Sequence, residues 1–274
     1  MNKQAKYKNG KLVGRGIEWT DYTSNPIAGC LHDCRWKMPD GKIAICYAET
    51  TATNVAQAAY PQGFAHHYWR PEELQAPLNL RDYGAKIFIG SMADVFGAWV
   101  PDEQIKAILE MCRRAHWHTF QFLTKNAPRL LKFEFPDNCW IGVSSPPDFM
   151  LGHELSEAGK EKMLRRTLEI LPQAKAKVRW MSIEPLSWDC AKIFAEYPPL
   201  QWVVIGAATD GRKKFQPVRE HVAALLNIFD AQNVPVFFKG NLSFSPWREY
   251  FPEFVPSRYM KQLENDYANE LKIK

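Results

Sequence analysis

Cys30, Cys34 and Cys46 fall within seventeen residues of a 274-residue chain, spaced C-x3-C-x11-C in a Gly- and Pro-containing segment. Thiolates ligate soft metal centres. Three of them can hold three irons of a 4Fe–4S cluster and leave the fourth iron open to another ligand. Zinc is the rival, and it wants a fourth ligand, for which His32 is the nearest candidate. His32 lies between Cys30 and Cys34, where simultaneous ligation is cramped, and no second C-x2-C pair completes a zinc ribbon. Buried thiols that bind nothing are the third reading, because free cysteine is commonly buried. Spacing alone leaves all three open. Cys112, Cys139 and Cys190 are scattered and read as packing residues; in a reducing cytosol an even cysteine count does not imply disulfides.

Other chemistry-bearing residues gather after short apolar runs. Ser91 and Asp94 follow one such run, Lys125 another, and Ser144 and Ser145 a third. Ser182 and Glu184 follow a fourth, Gly206 to Asp210 a fifth, and Lys239 a last. About half of these read as helix N-caps. Lys125, Glu184 and Lys239 are poor caps, and a charge that ends an apolar strand is costly unless paired or liganded. They are therefore the candidate catalytic or binding side chains. An ion pair, for example Lys125 with Glu184, is the alternative for the lysines.

The elements that must position these residues are short strands rich in β-branched and aromatic residues, expected at 17–19, 86–90, 118–123, 139–143, 178–183, 201–205 and 234–238. Helical patterns lie between them. Pro101 opens one, with Ile105, Ile108, Leu109 and Cys112 at i, i+3, i+4, i+7. Others run over 155–171 and 218–231, and 51–81 reads as mostly helical with breaks at prolines. A last helix is expected over 256–274. Strand and helix alternating six or seven times indicates an α/β fold with a parallel sheet, closing into a full or partial TIM-like (βα) barrel. A doubly wound sheet is the competitor, disfavoured because no G-x-G-x-x-G follows the first strand. Ligands of such folds sit at the carboxyl ends of the strands, where the polar residues above fall. We expect a single domain over 1–274, with residues 1–16 as an arm.

Composition sets the frame. A hydrophobic fraction of 46% with 24% charged residues is that of a globular domain. No apolar run approaches a membrane span, and the N-terminus lacks an apolar signal core, so a cytoplasmic location is expected. The net charge of +5 permits a phosphate-bearing partner without demanding one. Ten Trp, ten Tyr and sixteen Phe supply core, and a surplus can stack bases. His66 and His67, adjacent in what reads as a helical stretch, do not share a helix face and read as surface packing. Arg113-Arg114 and Arg212-Lys-Lys214 read as solvated faces, the second in a loop where a nucleic-acid backbone could be met.

The cysteine loop, followed by Cys46-Tyr-Ala-Glu49, resembles the phage Gp37/Gp68 family, three-Cys-motif proteins of the DUF5131 type that look like relatives of radical SAM enzymes. The resemblance covers most of the chain. It runs through Ile17-Glu-Trp-Thr-Asp21 with Asn25-Pro26, Ser91-Met-Ala-Asp-Val-Phe96 and Phe120-Gln-Phe-Leu-Thr-Lys125. It continues through Ile141-Gly-Val-Ser144, Ser182-Ile-Glu-Pro-Leu186, Trp202-Val-Val-Ile-Gly206 and Phe237-Phe-Lys239. The chain departs from those relatives in its longer second cysteine spacing, in Ile45 where an aromatic usually precedes the third Cys, and at Gly206–Asp210 and Ser145-Pro146.

The resemblance implies a 4Fe–4S cluster on Cys30, Cys34 and Cys46, with S-adenosylmethionine (SAM) on the open iron. It implies Ser91 and Asp94 at the methionine amino group, and Ser144, Ser182 and Glu184 near the ribose or carboxylate, with Tyr47 as a further cofactor contact. Lys125 and Lys239 would meet a carboxylate or phosphate. The implied activity is a 5′-deoxyadenosyl radical enzyme that uses an external one-electron reductant and modifies nucleic acid. A rearrangement or isomerisation at a modified thymine-type base of phage DNA would suit such an enzyme. The alternatives are a nucleic-acid-binding protein with zinc or no metal, and a DNA repair lyase resembling spore photoproduct lyase.

Overall fold

The structure is a computed structural model that describes residues 1–4, 6–8, 11–13, 16–38, 40–210 and 213–253. The helix expected over 256–274, and Arg212, lie outside the described residues. Its centre is an eight-stranded, mostly parallel sheet. In sheet order, which is also chain order, the strands are β1 (Asn2–Lys3), β2 (Tyr22–Ser24), β3 (Lys86–Ile89) and β4 (Thr119–Thr124), then β5 (Cys139–Ser144), β6 (Val178–Ile183), β7 (Trp202–Ile205) and β8 (Val236–Phe238). Only β1 is antiparallel, pairing with β2 through Asn2 opposite Thr23. It comes from the stretch read as an N-terminal arm.

The alternating α/β expectation is met. The full-barrel form is not what the strand pairing gives: pairing ends at β1 on one side and β8 on the other. The first strand also moves. Residues 17–19 form a turn, and the strand is Tyr22–Ser24.

Side chains alternate across the sheet. One set, including Ile87, Ile89, Phe120, Phe122, Ile141, Val143, Met181, Ile183, Val203, Ile205, Val236 and Phe238, packs under the helices. Helix α2 (Asp102–Arg114) shows why that layer forms. Pro101 precedes it, Asp102 and Glu103 sit in its first turn, and Arg113 and Arg114 in its last, complementing the helix dipole. Ile105, Ile108, Leu109 and Cys112 are buried on one stripe, each large aliphatic among them contributing about 1.5–3 kcal/mol. Helices α3 (Glu157–Ile170) and α4 (Arg219–Ala231) repeat the first-turn acid and the buried stripe, without basic residues in the last turn. The Ser156 hydroxyl caps α3 by accepting from the Gly159 N–H. Among the described residues, no helix is long and apolar enough to cross a membrane.

The opposite face carries a second, aromatic cluster. Phe88, Trp140, Trp180, Trp202, Val204 and Phe237 turn inward around Trp19. Ring centroids of Trp19 and Trp180 lie 5.2 Å apart, although β2 and β6 are four strands apart in the sheet, about 19 Å if it were flat. The sheet therefore curls round this aromatic face. Gly142 on β5 makes room for it, because a Cβ there would lie 2.3 Å from the Trp180 ring.

The segment 51–81 is less helical than its sequence suggests. It holds the end of α1 (Tyr47–Asn54), 3-10 turns at Gln57–Ala59 and Pro71–Leu74, and a five-residue helix at Gln75–Asn79. Its strand Tyr68–Trp69 pairs with Ile27–Ala28. His66 and His67 thus precede a strand; His67 meets Gln104 at 2.8 Å and His66 packs edge-on against Tyr68.

Candidate functional site

Because β2 to β8 are parallel, the segments after their carboxyl ends emerge on one side. A cavity of about 450 Å³ lies there. Cys30, Cys34, Cys46, Tyr47, Ser91, Asp94, Lys125, Ser144, Ser182, Glu184 and Lys239 all line it. The cysteines and the Ser, Asp, Lys, Glu and Tyr candidates named as catalytic, cofactor or metal residues thus share one space, whereas Ser145 and residues 206–210, which also follow strands, are not in its lining.

The cysteine loop follows β2 and is tied down at each thiol. Gly29 adopts φ +80°, and a Cβ on it would lie 1.8 Å from the His66 carbonyl oxygen, so only glycine fits. Its N–H donates to the Met92 carbonyl (2.9 Å), and the Cys30 N–H to that of Phe64 (3.0 Å). Past Cys34, Arg35–Lys37 pairs with Ile43–Ile45 on one side and Phe149 on the other, forming part of a second, four-stranded sheet. Cys46 occupies the N-cap position of α1. The Arg35 guanidinium forks onto Glu49 at 2.7 and 3.0 Å. This bidentate grip sets the second cysteine against the third across the long spacer, and it gives the Glu of Cys46-Tyr-Ala-Glu49 a structural role.

His32, the alternative zinc ligand, has its Nε2 2.7 Å from Asp94. Its Nδ1 is buried without a hydrogen-bond partner. Asp94 is buried and fully engaged. Oδ2 meets His32 and accepts from the Thr124 hydroxyl (2.9 Å) and the Lys125 N–H (2.9 Å); Oδ1 accepts from the Phe96 N–H (3.0 Å). Burial raises its pKa, but these donors outweigh that and hold the carboxyl below its ordinary value. Asp94 thus joins the β3 and β4 loops to the cysteine loop, with its oxygens turned into the wall.

Desolvation pushes the thiols the other way. Cys34 is raised to about 11 and Cys30 further, with neighbouring cysteine charges adding to both. Mutual repulsion of three nearby thiolates is what a cationic iron centre relieves. Three thiols at one cavity, with no fourth cysteine among its lining residues, fit in kind a cluster with one open iron. Among the described residues, no group of three or more His, Cys, Asp and Glu side chains is gathered at metal-holding positions.

Opposite the loop, the ion pair falls differently from the pairing considered from sequence. Lys239 Nζ donates to Glu184, not Lys125 to Glu184. Burial lowers the Lys239 pKa, but the adjoining Glu184 carboxylate outweighs this and raises it, so the ammonium keeps its proton. Lys125 makes no ion pair among the described residues; its ammonium lies 5.9 Å from the Trp36 ring centre, a cation–π contact. The Tyr47 hydroxyl donates to the Ser91 carbonyl. The Ser91 hydroxyl donates to Asn25 (3.2 Å), which also accepts from the Met92 N–H. Ser144 and Ser182 are buried at neighbouring strand ends. Sequence reasoning missed Asn25, Arg35, Trp36 and the His32–Asp94 contact. Asn25-Pro26 was visible as a motif; the others depend on contacts through space.

The family model described as "protein of unknown function (DUF5131)" matches residues 14–266. That agrees with the resemblance at the level of this family, while the phage Gp37/Gp68 name rests on the sequence motifs alone. No curated protein matches the sequence. Among solved structures, the chain is similar to a spore photoproduct lyase double mutant with bound AdoMet and dinucleoside spore photoproduct, at 13% identity and TM-score 0.45, covering 90% of this chain and 72% of that one. It is also similar to a spore photoproduct lyase complexed with the dinucleoside spore photoproduct, at 13% identity and TM-score 0.42, covering 87% and 69%.

Proposed function

The chain belongs to the DUF5131 family of proteins of unknown function, and from that premise we propose that it is a radical SAM enzyme acting on a nucleic-acid base. The observation that carries this reading is the meeting, in one cavity, of three loop cysteines with the polar residues of six strand ends. Cys30, Cys34 and Cys46 would hold a 4Fe–4S cluster, and Ser91, Tyr47, Ser144 and Ser182 would contact SAM beside it. When bound, these groups supply a one-electron cleavage that ends in hydrogen abstraction from a substrate carbon.

The chain's own residues do the rest. Asp94 positions the loop through His32 and is assigned no cofactor contact, because its oxygens already accept from the wall. Glu184 keeps the proton on Lys239 Nζ, which leaves a fixed dipole rather than a free charge facing the cavity. Lys125 supplies the free positive charge, beside the flat face of Trp36. A cation next to an aromatic face suits a nucleotide, with a phosphate or carbonyl oxygen at the ammonium and a base at the ring. Rearrangement at a modified thymine-type base of phage DNA is the specific reaction that the family resemblance suggests.

Anaerobic reconstitution with iron and sulfide tests the cluster assignment. The wild type should take up about four irons per chain and turn brown. One tightly bound zinc in a colourless protein, retained after Cys46→Ala, would remove the basis of the reading.

A further inference from the structure

The carboxylate and ammonium side chains that line the cavity are Asp94, Lys125, Glu184 and Lys239. Asp94 is spent on His32 and on the donors of Phe96, Thr124 and Lys125, and Lys239 is spent on Glu184. Lys125 has no carboxylate partner among the described residues, yet it shares the cavity with three thiols.

The fold holds this lysine against the cysteine loop. The Lys125 N–H donates to Asp94 Oδ2 (2.9 Å), the same oxygen that meets His32 Nε2 (2.7 Å). The Lys125 backbone and the loop therefore share one carboxylate oxygen. Its ammonium lies 5.9 Å from the Trp36 ring centre. Trp36 and Cys34 are two residues apart and both line the cavity, while Arg35 between them turns to Glu49. Cys34 and Trp36 thus face the same way, about 7 Å apart along an extended chain. Arg35, the adjoining base, is already neutralised by Glu49 and Asp33. Burial does most to raise the Cys34 thiol, and Lys125 is the foremost charge opposing that rise.

We propose that the Lys125 ammonium is the counter-charge of the centre on the three cysteines, and that it raises the centre's one-electron reduction potential. The inference rests on the reading of Cys30, Cys34 and Cys46 as cluster ligands. Reduction brings one electron from the external reductant to a site that already carries three thiolates. A fixed cation nearby stabilises the reduced state more than the oxidised one. Lys239 contributes little, because Glu184 cancels its charge. The Lys125 ammonium also faces the cavity, so an anion that takes it withdraws charge from the centre, and the two duties are coupled.

The test uses Lys125→Met, which removes the charge and leaves the backbone bond to Asp94. Lys125→Arg keeps the charge. Lys42→Met is the control, at a residue that is exposed and outside the cavity lining. On the metal-free protein, Cys34 is alkylated with anionic iodoacetate and with neutral iodoacetamide, and both rates are read by mass spectrometry. Their ratio cancels the ionisation of the thiol and reports the local field. Lys125→Met should lower the ratio about threefold, the effect of one charge at about 7 Å in a water-like dielectric. Lys125→Arg and Lys42→Met should leave it unchanged. On the reconstituted protein, the midpoint potential is followed by electron paramagnetic resonance during a reductive titration. Lys125→Met should make reduction about tenfold less favourable, or about 59 mV for one electron, and Lys125→Arg should restore most of it. An unchanged ratio or an unchanged potential in Lys125→Met overturns the inference, as does an equal loss in Lys42→Met. Iron is measured on the same preparations. A protein that takes up no iron sinks the enzyme reading, and the alkylation ratio then decides the counter-charge by itself. Full iron content with an unmoved potential removes the inference and leaves the enzyme reading standing.

Discussion

Cys30, Cys34 and Cys46 line a cavity at the carboxyl ends of the strands, whereas Cys112, Cys139 and Cys190 lie within the helix–sheet packing. Burial raises the thiol pKa in both sets: Cys30 and Cys34 in the first, Cys112 and Cys190 in the second. Desolvation therefore does not distinguish a ligand from a packing residue. What distinguishes them is the company each keeps. The loop thiols raise one another, share a cavity with Lys125, and are fixed by polar clamps, Arg35 on Glu49 and His32 on Asp94. Cys112 and Cys139 touch each other amid aliphatic and aromatic side chains that no solute reaches.

The contrast can be broken at several points. The largest effect is all-or-none. Alanine at Cys30, Cys34 or Cys46 should abolish formation of a stable four-iron centre, measured as iron per chain after reconstitution, while alanine at Cys112, Cys139 or Cys190 should leave it whole. Equal iron loss in both sets would erase the distinction. Next is Asp94→Asn, which replaces an acceptor of four hydrogen bonds by a group with an unwanted N–H₂. It should destabilise the apoprotein by about 2–3 kcal/mol in urea melts and loosen the cysteine loop in hydrogen exchange. An undisturbed loop would show that the clamp is ornamental.

Cys112→Ala should cost about 1–2 kcal/mol, because it leaves a small gap in the core, with no change in iron content. On the same melts, Tyr47→Phe removes one hydrogen bond, to the Ser91 carbonyl, and should cost about 0.5–1.5 kcal/mol. If Tyr47 also touches the cofactor, SAM affinity measured by calorimetry falls with it; an unchanged affinity would confine Tyr47 to packing.

The strands were legible because each is a short apolar run bounded by turn residues; those at 86–90, 118–123, 139–143, 178–183, 201–205 and 234–238 appear within about two residues. The first was misplaced for a physical reason. The apolar signal at Ile17 and Trp19 marks residues that fill the curled face of the sheet, while Tyr22-Thr-Ser24, the strand itself, is short and polar. The helical look of 51–81 gave way to short pieces in which Pro61 follows one 3-10 turn and Pro71 opens the next, positions where proline's missing N–H suits an element boundary. The second sheet, built from strands of two or three residues, is too short for any period to show.

At the site, the rule that ligands sit at the ends of parallel strands gathered Ser91, Lys125, Ser144, Ser182, Glu184 and Lys239 in advance. The partners were not legible. His32 finds Asp94 across 62 residues and Lys239 finds Glu184 across 55, distances over which periodicity says nothing. Lys125, the partner considered for Glu184, faces Trp36 instead.

The most direct test of the central claim is to incubate the reconstituted protein anaerobically with SAM and dithionite, with and without DNA, and to quantify 5′-deoxyadenosine. The account predicts that it forms with the wild type, is lost with Cys30→Ala, and persists with Cys112→Ala. A fully iron-loaded wild type that leaves SAM intact under all these conditions would contradict it.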